Sequence, residues 1–333
     1  MTQFALYRSL ACLMLVTISF CVKAEAPMTY GKNASVKVFI DEMVAEHNFD
    51  RAALAQLFSQ AEKKQRILDA ISRPAEKTLT WADYRKIFVT DTRIKGGVEF
   101  WQENEAILNR AAKEFGVPEE IIVAIIGVET RYGGNKGSYR VIDALSTLAF
   151  DYPRRSKFFR KELKEFLLLS REQQQDPLDL IGSYAGAMGY GQFIPSSYRA
   201  YAVDYDKDNF ADIWNNTEDA IGSVANYFKR HGWKAGEQVA VRTRVKEGYD
   251  QSVINDSLKP KRDLAALKAK GFAPIGNLQD AQPASAIRLE GQYGTEYWIG
   301  LQNYYVITRY NHSRLYAMAV WQLSQEIANK KKS

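Results

Sequence analysis

Hydrophobic residues recur three or four positions apart through most of the chain, which is the spacing of amphipathic helices. The first such stretch predicts a small helical unit from residue 34 to about residue 72, ending near Arg73-Pro74. We predict further helices over 97–115, from Pro118 onward, and over 156–174, 195–203, 218–231 and 315–328. The chain is therefore expected to be mainly α-helical.

The pattern changes between about residue 239 and residue 296. Residues 239–245 alternate as a strand does, and glycines then separate several short pieces. We predict a small mixed α/β insertion there, followed by a strand over 304–308 and a closing helix. The predicted division is a signal peptide over 1–24, an N-terminal helical domain over 25–96, a core over 97–236, a small α/β subdomain over 237–302, and a C-terminal strand and helix over 303–333 that return to the core.

The N-terminus has the pattern of an export signal. Arg8 precedes an apolar stretch over 10–22 that is too short to span a bilayer, and we expect cleavage after Ala24. Cys12 and Cys21 both lie in this segment, so the mature chain would carry no thiol. We expect a soluble protein exported to the periplasm. A lipid anchor on Cys21 is the less favoured alternative, because a bulky residue precedes that cysteine.

Composition and charge narrow the classes of function. The 45 Lys and Arg against 39 Asp and Glu give a net charge of +6. Removing the signal with its Arg8 and Lys23 leaves 43 against 39, or +4. This mild excess suits an anionic polymer such as a cell-wall glycan that carries peptide carboxylates, although it does not require one. No nucleic-acid motif is present. His47, His231 and His312 are far apart, which argues against a zinc site or a catalytic triad.

The apolar run over 121–128 ends at Glu129. In a helix, Ile125 and Ile126 lie one turn back from Glu129, so its carboxyl would leave the backbone against hydrocarbon. Desolvation of this kind raises the pKa of a carboxyl toward neutrality, which suits a general acid. The alternative is a helix-terminal glutamate that faces solvent, and this segment alone does not decide between them.

A second segment of interest is rich in glycine and tyrosine. Residues 182–191 include four glycines, which prevent a regular helix and let backbone approach a ligand closely. Tyrosine rings offer flat faces for sugars, and Gln192 offers both a donor and an acceptor. The alternative is a glycine-rich surface loop with structural tyrosines.

A third motif spans residues 204–212. Asp204, Asp206, Asp208 and Asp212 match positions 1, 3, 5 and 9 of a calcium-type loop, and Phe210 is a further candidate ligand. Asn215 stands at position 12, where glutamate is usual. Asn209 replaces the usual glycine, although asparagine tolerates the left-handed conformation. The alternative is an acidic, solvated turn.

Three segments together resemble one enzyme family. They are Gly-Val-Glu-Thr-Arg-Tyr-Gly around Glu129, the stretch over 186–193, and Arg309-Tyr310-Asn311. In order and spacing these segments resemble the B-type lytic murein transglycosylases, whose core is similar to goose-type lysozyme. The resemblance implies an α+β fold in which the core over 97–236 is lysozyme-like.

The resemblance further implies that Glu129 is the sole catalytic acid and base. It would protonate the glycosidic oxygen between N-acetylmuramic acid and N-acetylglucosamine, and then accept the proton of the muramoyl C6 hydroxyl as a 1,6-anhydro ring closes. Hydrolytic glycosidases generally need a second carboxylate. Glu162 and Glu165 lie in a charged helix and are predicted to be solvated. The alternatives are a hydrolytic muramidase that uses Glu129 and a non-catalytic peptidoglycan-binding protein.

Other positions follow from the same resemblance. Ser183 and Gln192 would contact the sugar, and Asn311 would fix the attacking sugar. Five tyrosines would line the groove, with core packing as the alternative for each: Tyr84, Tyr190, Tyr227, Tyr310 and Tyr316. Arg154 and Arg155 would meet peptide or lactyl carboxylates, or else form a solvated turn.

The family also lengthens the calcium loop and closes it with a later acid, for which Asp219 is the matching residue. We expect a structural calcium ion and no catalytic cofactor. Peptidoglycan strands are the expected partner. We further expect a monomer, and the sequence leaves open a loose association with the membrane.

Overall fold

Helices make up most of the structure, a computed structural model that describes residues 28–72 and 79–333. The predicted signal peptide, its cleavage site, Cys21 and the Arg73-Pro74 boundary lie outside the described residues. The helices are α1 (Ala34–His47), α2 (Arg51–Gln60), α3 (Gln65–Ile71), α4 (Trp81–Phe88), α5 (Asp91–Glu103), α6 (Glu105–Phe115), α7 (Glu119–Thr130), α8 (Val141–Asp151), α9 (Ser156–Glu172), α10 (Pro195–Tyr201), α11 (Thr217–Arg230), α12 (Leu264–Ala269), α13 (Gln302–Tyr310) and α14 (Arg314–Lys332).

Most of the predicted helices are confirmed, and two predictions are wrong. The predicted helix over 97–115 is two helices, α5 and α6, separated at Asn104. The side-chain amide of Asn104 donates to the carbonyl of Phe100 at 2.8 Å, a local bond that competes with helix continuation. The predicted strand over 304–308 belongs to helix α13. Its β-branched and aromatic residues favour a strand locally, but burial against neighbouring helices decides the outcome.

The strands form two separate sheets. They are β1 (Tyr139–Arg140), β2 (Ile181–Gly182), β3 (Ala240–Val245), β4 (Arg262–Asp263), β5 (Phe272–Pro274), β6 (Pro283–Gly291) and β7 (Gly294–Gly300). The larger sheet is antiparallel with the order β4-β6-β7-β3-β5, and Ile287 pairs with Trp298 at its centre. The predicted strand over 239–245 is confirmed as β3. The β1–β2 ladder lies where the chain enters the glycine-rich segment.

Helix α7 lies at the centre of the largest hydrophobic cluster. Every residue from Ile121 to Val128 is buried, so the helix is apolar on all sides. It packs against α5, α6, α11 and α14. This burial explains why the run lacks the one-sided pattern of a surface helix. Glu129 therefore directly follows a stretch of helix that is buried on all sides.

A second hydrophobic cluster joins α1–α3 to α8–α10. On α9, one of the two glutamates predicted to be solvated is buried instead. Glu162, predicted to be solvated, is 2% exposed. Its carboxylate accepts from the backbone N–H and the hydroxyl of Ser196, both at 2.9 Å, in the first turn of α10. Glu165 pairs with Arg199. The charged pattern of α9 did not reveal that the start of α10 packs on one of its acids.

The predicted domain boundaries remain a prediction. The largest hydrophobic cluster contains residues between 81 and 327, and a third, smaller cluster lies under the five-stranded sheet. Among residues 28–72 and 79–333, none of the helices combines the length and the apolar character that crossing a membrane requires.

Candidate active site

Glu129 is the penultimate residue of α7 and is partly exposed at the end of the buried helix. The hydroxyl of Tyr316, on α14, donates a hydrogen bond to Glu129 Oε1 at 2.5 Å. The carboxyl is therefore neither enclosed in the core nor turned freely into solvent. The Tyr316 hydroxyl orients one of its oxygens, and the residue as a whole is partly exposed.

Tyr316 is well placed to hold this carboxyl. Its side chain is buried, with 3% of the residue exposed, and the hydroxyl of Ser313 caps the first turn of α14 by accepting from the Tyr316 N–H at 3.3 Å. Burial, followed by the nearby charge of Glu129, raises the pKa of Tyr316 well above its usual value. The phenol therefore stays neutral and remains a hydrogen-bond donor.

Three more of the predicted tyrosines form or support this side of the site. Tyr310 donates to the carbonyl of Gly191 at 2.6 Å, and burial together with Glu129 raises its pKa. Tyr227 donates to the carbonyl of Arg309 at 2.6 Å, and its ring centroid lies 4.7 Å from that of Tyr310. Tyr84 is buried near Tyr316. The hydroxyls of Tyr227 and Tyr310 thus brace backbone around the site.

Close backbone contacts hold the glycine-rich segment in place. Gly189 has a φ of +68°, and a Cβ there would lie 2.3 Å from the carbonyl oxygen of Ile213, so only glycine fits. The N–H of the next residue, Tyr190, donates to that same carbonyl at 2.9 Å. Gln192 has a φ of +50°, and its amide donates to the carbonyl of Gly189 at 3.0 Å. Backbone contacts thus fix the loop next to the segment that ends the acidic motif.

Several predicted sugar contacts retain accessible surface. Ser183, Tyr190, Gln192 and Asn311 are each partly exposed. The Ser183 hydroxyl accepts from the N–H of Ala187 at 3.1 Å, which leaves its proton available. Polar groups for a ligand therefore remain on the glycine-rich loop and at the end of α13, while most of the tyrosines are buried behind them.

Thr130 connects Glu129 to this loop. Its residue is fully buried, and its hydroxyl donates to the carbonyl of Tyr190 at 2.9 Å while accepting from the N–H of Gly133 at 3.0 Å. The hydroxyl of Thr130 therefore joins the C-terminal turn of α7 to the glycine-rich loop. Sequence reasoning missed this role, and the only signal was the position of Thr130 next to Glu129.

The acidic motif brings four carboxylates together. One oxygen from each of Asp204, Asp206, Asp208 and Asp219 lies within 4.8 Å of the others. Asp219 is fully buried, and it accepts from two backbone N–H groups, those of Tyr205 at 2.6 Å and of residue 212 at 2.8 Å. Burial raises the pKa of Asp219 to about 6. The cluster concentrates like charges that a cation would neutralise.

The donor set fits a hard cation. Carboxylate oxygens, together with the backbone carbonyl of Phe210 on the same loop, are the ligands that Ca²⁺ prefers. Asn209 adopts the left-handed conformation with a φ of +76°, so asparagine makes the turn for which glycine is usual. Asp219 reaches the cluster from the first turn of α11.

Comparison with known proteins gives the family. The model of the transglycosylase SLT domain matches residues 31–325. This chain belongs to the transglycosylase SLT domain family. Within that family, it is 48% identical over 308 residues to membrane-bound lytic murein transglycosylase B of Escherichia coli, covering 90% of this chain and 84% of the relative.

Solved structures of the family share the fold. Soluble lytic transglycosylase SltB1 from Pseudomonas aeruginosa superposes with a TM-score of 0.86 at 55% identity, covering 90% of this chain and 100% of the other. Escherichia coli Slt35 in complex with calcium gives 0.83 at 46% identity, with coverages of 92% and 97%. Pseudomonas aeruginosa SltB3 in complex with NAG-anhNAM-pentapeptide gives 0.80 at 29% identity, with coverages of 88% and 78%. The expected mainly helical, lysozyme-like α+β fold is confirmed.

The two arginines that were predicted to meet peptide or lactyl carboxylates are exposed to solvent, unlike the partly exposed sugar-contact residues. Arg154 and Arg155 are exposed on a one-turn 3₁₀ helix over Pro153–Arg155. The guanidinium of Arg155 covers the ring of Phe158 at 4.3 Å. Both side chains are exposed and can meet an anionic ligand from solvent, and within the described residues no hydrogen bond or ion pair joins them to the glycine-rich loop.

The Thr130 hydroxyl joins α7 to the glycine-rich loop through two hydrogen bonds, and this connection gives a stability prediction. Replacing Thr130 by valine keeps the shape but leaves the Tyr190 carbonyl and the Gly133 N–H without this partner. We expect the free energy of unfolding in urea to fall by about 2 kcal/mol. Thr243→Val is the matched control, because Thr243 is also buried but bonds only its neighbour's carbonyl. Equal losses of unfolding free energy in the two variants would contradict a special role for the Thr130 hydrogen bonds.

Proposed function

We propose that this lytic transglycosylase cleaves peptidoglycan between N-acetylmuramic acid and N-acetylglucosamine and leaves 1,6-anhydro ends. Membership of the transglycosylase SLT domain family supports the reaction class. The observation that carries the mechanism is the hydrogen bond from Tyr316, which orients the carboxyl of the partly exposed Glu129.

The first step is proton donation. Glu129 lies at the C-terminal end of α7, where the helix dipole favours the neutral form of a carboxyl over its anion. The hydrogen bond from Tyr316 opposes this preference and fixes the direction of the carboxyl. Glu129 then gives its proton to the glycosidic oxygen, and the C1–O bond of the muramoyl residue breaks as electron density moves to the leaving sugar.

The second step closes the ring. The Glu129 carboxylate accepts the proton of the muramoyl C6 hydroxyl, whose oxygen forms the new bond to C1. The substrate's own acetamide assists at C1 between the two steps. An attacking hydroxyl within the same sugar replaces a captured water molecule, which saves several kcal/mol of entropy in favourable geometry. No second carboxylate is required.

The two acids that the sequence offered as rivals to Glu129 support this choice over hydrolysis. Glu162 is buried on Ser196, and Glu165 is paired with Arg199, so helix α9 engages both of these acids in structural contacts. A hydrolytic enzyme would generally use a second carboxylate as nucleophile or to activate water. A hydrolytic muramidase and a non-catalytic wall-binding protein are the rival outcomes of the experiments below.

We assign the substrate contacts from the solvent exposure of the predicted site residues. We assign sugar binding to the partly exposed Ser183, Tyr190, Gln192 and Asn311. The tyrosines that remain have their main role in holding those groups and Glu129 in place, and Tyr310 adds an accessible edge because it is partly exposed. Arg154 and Arg155 would pair with stem-peptide or lactyl carboxylates that reach beyond the sugars.

The setting we propose is the periplasm, where peptidoglycan lies. The basis is the export signal read from residues 1–24, together with the cell-wall activity of the family. A monomer and a loose association with the membrane complete the proposal, with the lipid anchor on Cys21 as the less favoured route to the membrane.

The products test the reaction directly. We expect purified protein to release muropeptides from isolated peptidoglycan whose muramoyl ends are lighter by one water than reducing ends, because the C6 oxygen closes the ring. Mass spectrometry of the digest measures this difference. Muramoyl ends that carry the extra water would establish hydrolysis, and no release at all would favour a binding protein.

The glutamate variant completes this test. Glu129→Gln should reduce product release by several orders of magnitude while glycan co-sedimentation is retained, since the amide cannot donate the proton but leaves the binding surface intact. Glu165→Gln is the control, because it alters an acid that pairs with Arg199 away from the reaction, and it should keep full activity. Comparable activity in Glu129→Gln would remove the assignment of the catalytic acid.

We further propose that calcium binds Asp204, Asp206 and Asp208, the carbonyl of Phe210, and Asp219. The convergence of four carboxylates and the calcium complex of Slt35 support this assignment. The ion would neutralise the cluster and tie the loop to α11. We assign it a structural role, because the chain after the loop contacts the glycine-rich segment at Ile213, whose carbonyl accepts from the Tyr190 N–H.

Calcium should therefore raise thermal stability. In chelator-treated protein, adding calcium at about 100 times its dissociation constant should add roughly 2.7 kcal/mol to stability and raise the melting midpoint by several degrees. Asp206→Ala should abolish the shift, whereas Asp256→Ala, which alters an aspartate that pairs with Arg262 in the small subdomain, should retain it. Absence of a shift in the unaltered protein would discard the site.

A further inference from the structure

Tyr132 follows Glu129 by three residues in an unusual backbone course. Arg131 and Tyr132 have φ values of +53° and +60°, so two successive non-glycine residues adopt the left-handed conformation. Side chains other than glycine rarely do so without surrounding contacts that enforce it. The N–H of Tyr132 donates to the carbonyl of Ile126 at 3.3 Å, which folds the chain back under the end of α7.

The ring of Tyr132 fills a cradle made by three glycines. Gly96 and Gly97 lie on α5, and Gly127 lies on α7. A Cβ at Gly97 would stand 2.6 Å from the Tyr132 hydroxyl oxygen, and one at Gly127 would stand 2.5 Å from it. A Cβ at Gly96 would be 3.1 Å from the ring. The ring thus lies directly against the backbone of both helices.

Further contacts lock the ring in this cradle. Its hydroxyl donates to the carbonyl of Arg93 on α5 at 2.7 Å. Its face stacks on Phe100, also on α5, with centroids 5.6 Å apart. Burial raises the pKa of Tyr132, so the hydroxyl stays a neutral donor. Tyr132 is therefore bound to α5 on one side and to α7 on the other.

The cradle lies behind the catalytic carboxyl. Gly127 precedes Glu129 by two residues, which places them roughly 200° apart around the helix axis. The ring accordingly presses on the face of α7 opposite to the one from which Glu129 projects. On the front, Glu129 meets Tyr316 of α14 at 2.5 Å. Helix α7 is thus held between a ring at its back and a hydrogen bond at its front.

We propose that Tyr132 is a positioning residue for the reaction, a spacer whose ring thickness sets how far α7 carries Glu129 toward Tyr316 and the scissile bond. The inference rests on the proposed function and adds to it a determinant outside the residues that touch substrate. Proton transfer depends on where Glu129 is placed, because a misplacement of about 1 Å costs as much as 10²-fold in rate. A change in the thickness of the spacer would shift Glu129 by a distance of that order.

The test changes the spacer from both sides. Tyr132→Leu thins it, and Gly127→Ala adds a methyl group where the ring now lies. Each should lower kcat on peptidoglycan about 10–100-fold and change KM by less than about twofold, since the binding residues remain. The double variant should recover part of kcat, because the added methyl group occupies space that the ring vacates. Additive losses, or losses confined to KM, would overturn the proposal.

Controls separate positioning from simple stability. Phe58→Leu removes a fully buried ring in the other large cluster, and it should lower the melting midpoint without lowering kcat at temperatures well below melting. Tyr132→Phe keeps the ring and should retain kcat within about threefold. A loss in Tyr132→Phe as large as in Tyr132→Leu would contradict a spacer. If Tyr132→Leu fails to fold, Gly127→Ala and Tyr132→Phe still decide the matter.

A crystal structure of Tyr132→Leu keeps this inference apart from the proposed function. The contact between the Tyr316 hydroxyl and Glu129 should lengthen beyond hydrogen-bonding distance. An unchanged contact would overturn the spacer even if the enzyme forms anhydro products. A wild-type protein that forms no such products would overturn the proposed function, and the lengthened contact would still support the spacer.

Discussion

The hydrogen bond from Tyr316 to Glu129 is the contact on which the site depends. It joins residues 187 positions apart and connects the end of α7 to the start of α14. A proton donor must point at one oxygen atom, and this hydrogen bond fixes the direction of the carboxyl. The fold provides the fixed frame, because α7 is buried along its length and α14 packs on it.

Two loops complete the site by sharing backbone contacts. The hydroxyl of Thr130 ties the turn after Glu129 to Tyr190, and the Tyr190 N–H in turn bonds the carbonyl of Ile213. The acidic cluster lies on the segment that leads to Ile213. The calcium ion that we propose for this cluster would therefore stabilise the glycine-rich loop through Ile213 and would take no part in proton transfer.

The sequence singled out the candidate site residues but not the packing around them. Glu129, the glycine-rich segment and the acidic loop are each local, so the residue types at their spacing were enough to single them out. The partner of Glu129 and the burial of Glu162 depend on helices distant in the chain, which no local pattern reports. The strand predicted over 304–308 failed for the same reason, because tertiary burial selected a helix for residues with strand propensity.

The most direct test of the account is a crystal structure of Glu129→Gln bound to a peptidoglycan oligosaccharide that spans the scissile bond. We predict that the side chain at position 129 lies within hydrogen-bonding distance of the glycosidic oxygen, with the muramoyl C6 hydroxyl on the same side and the Tyr316 hydroxyl still in contact. A sugar bound away from position 129, or a different carboxylate closer to the muramoyl C1, would contradict the account.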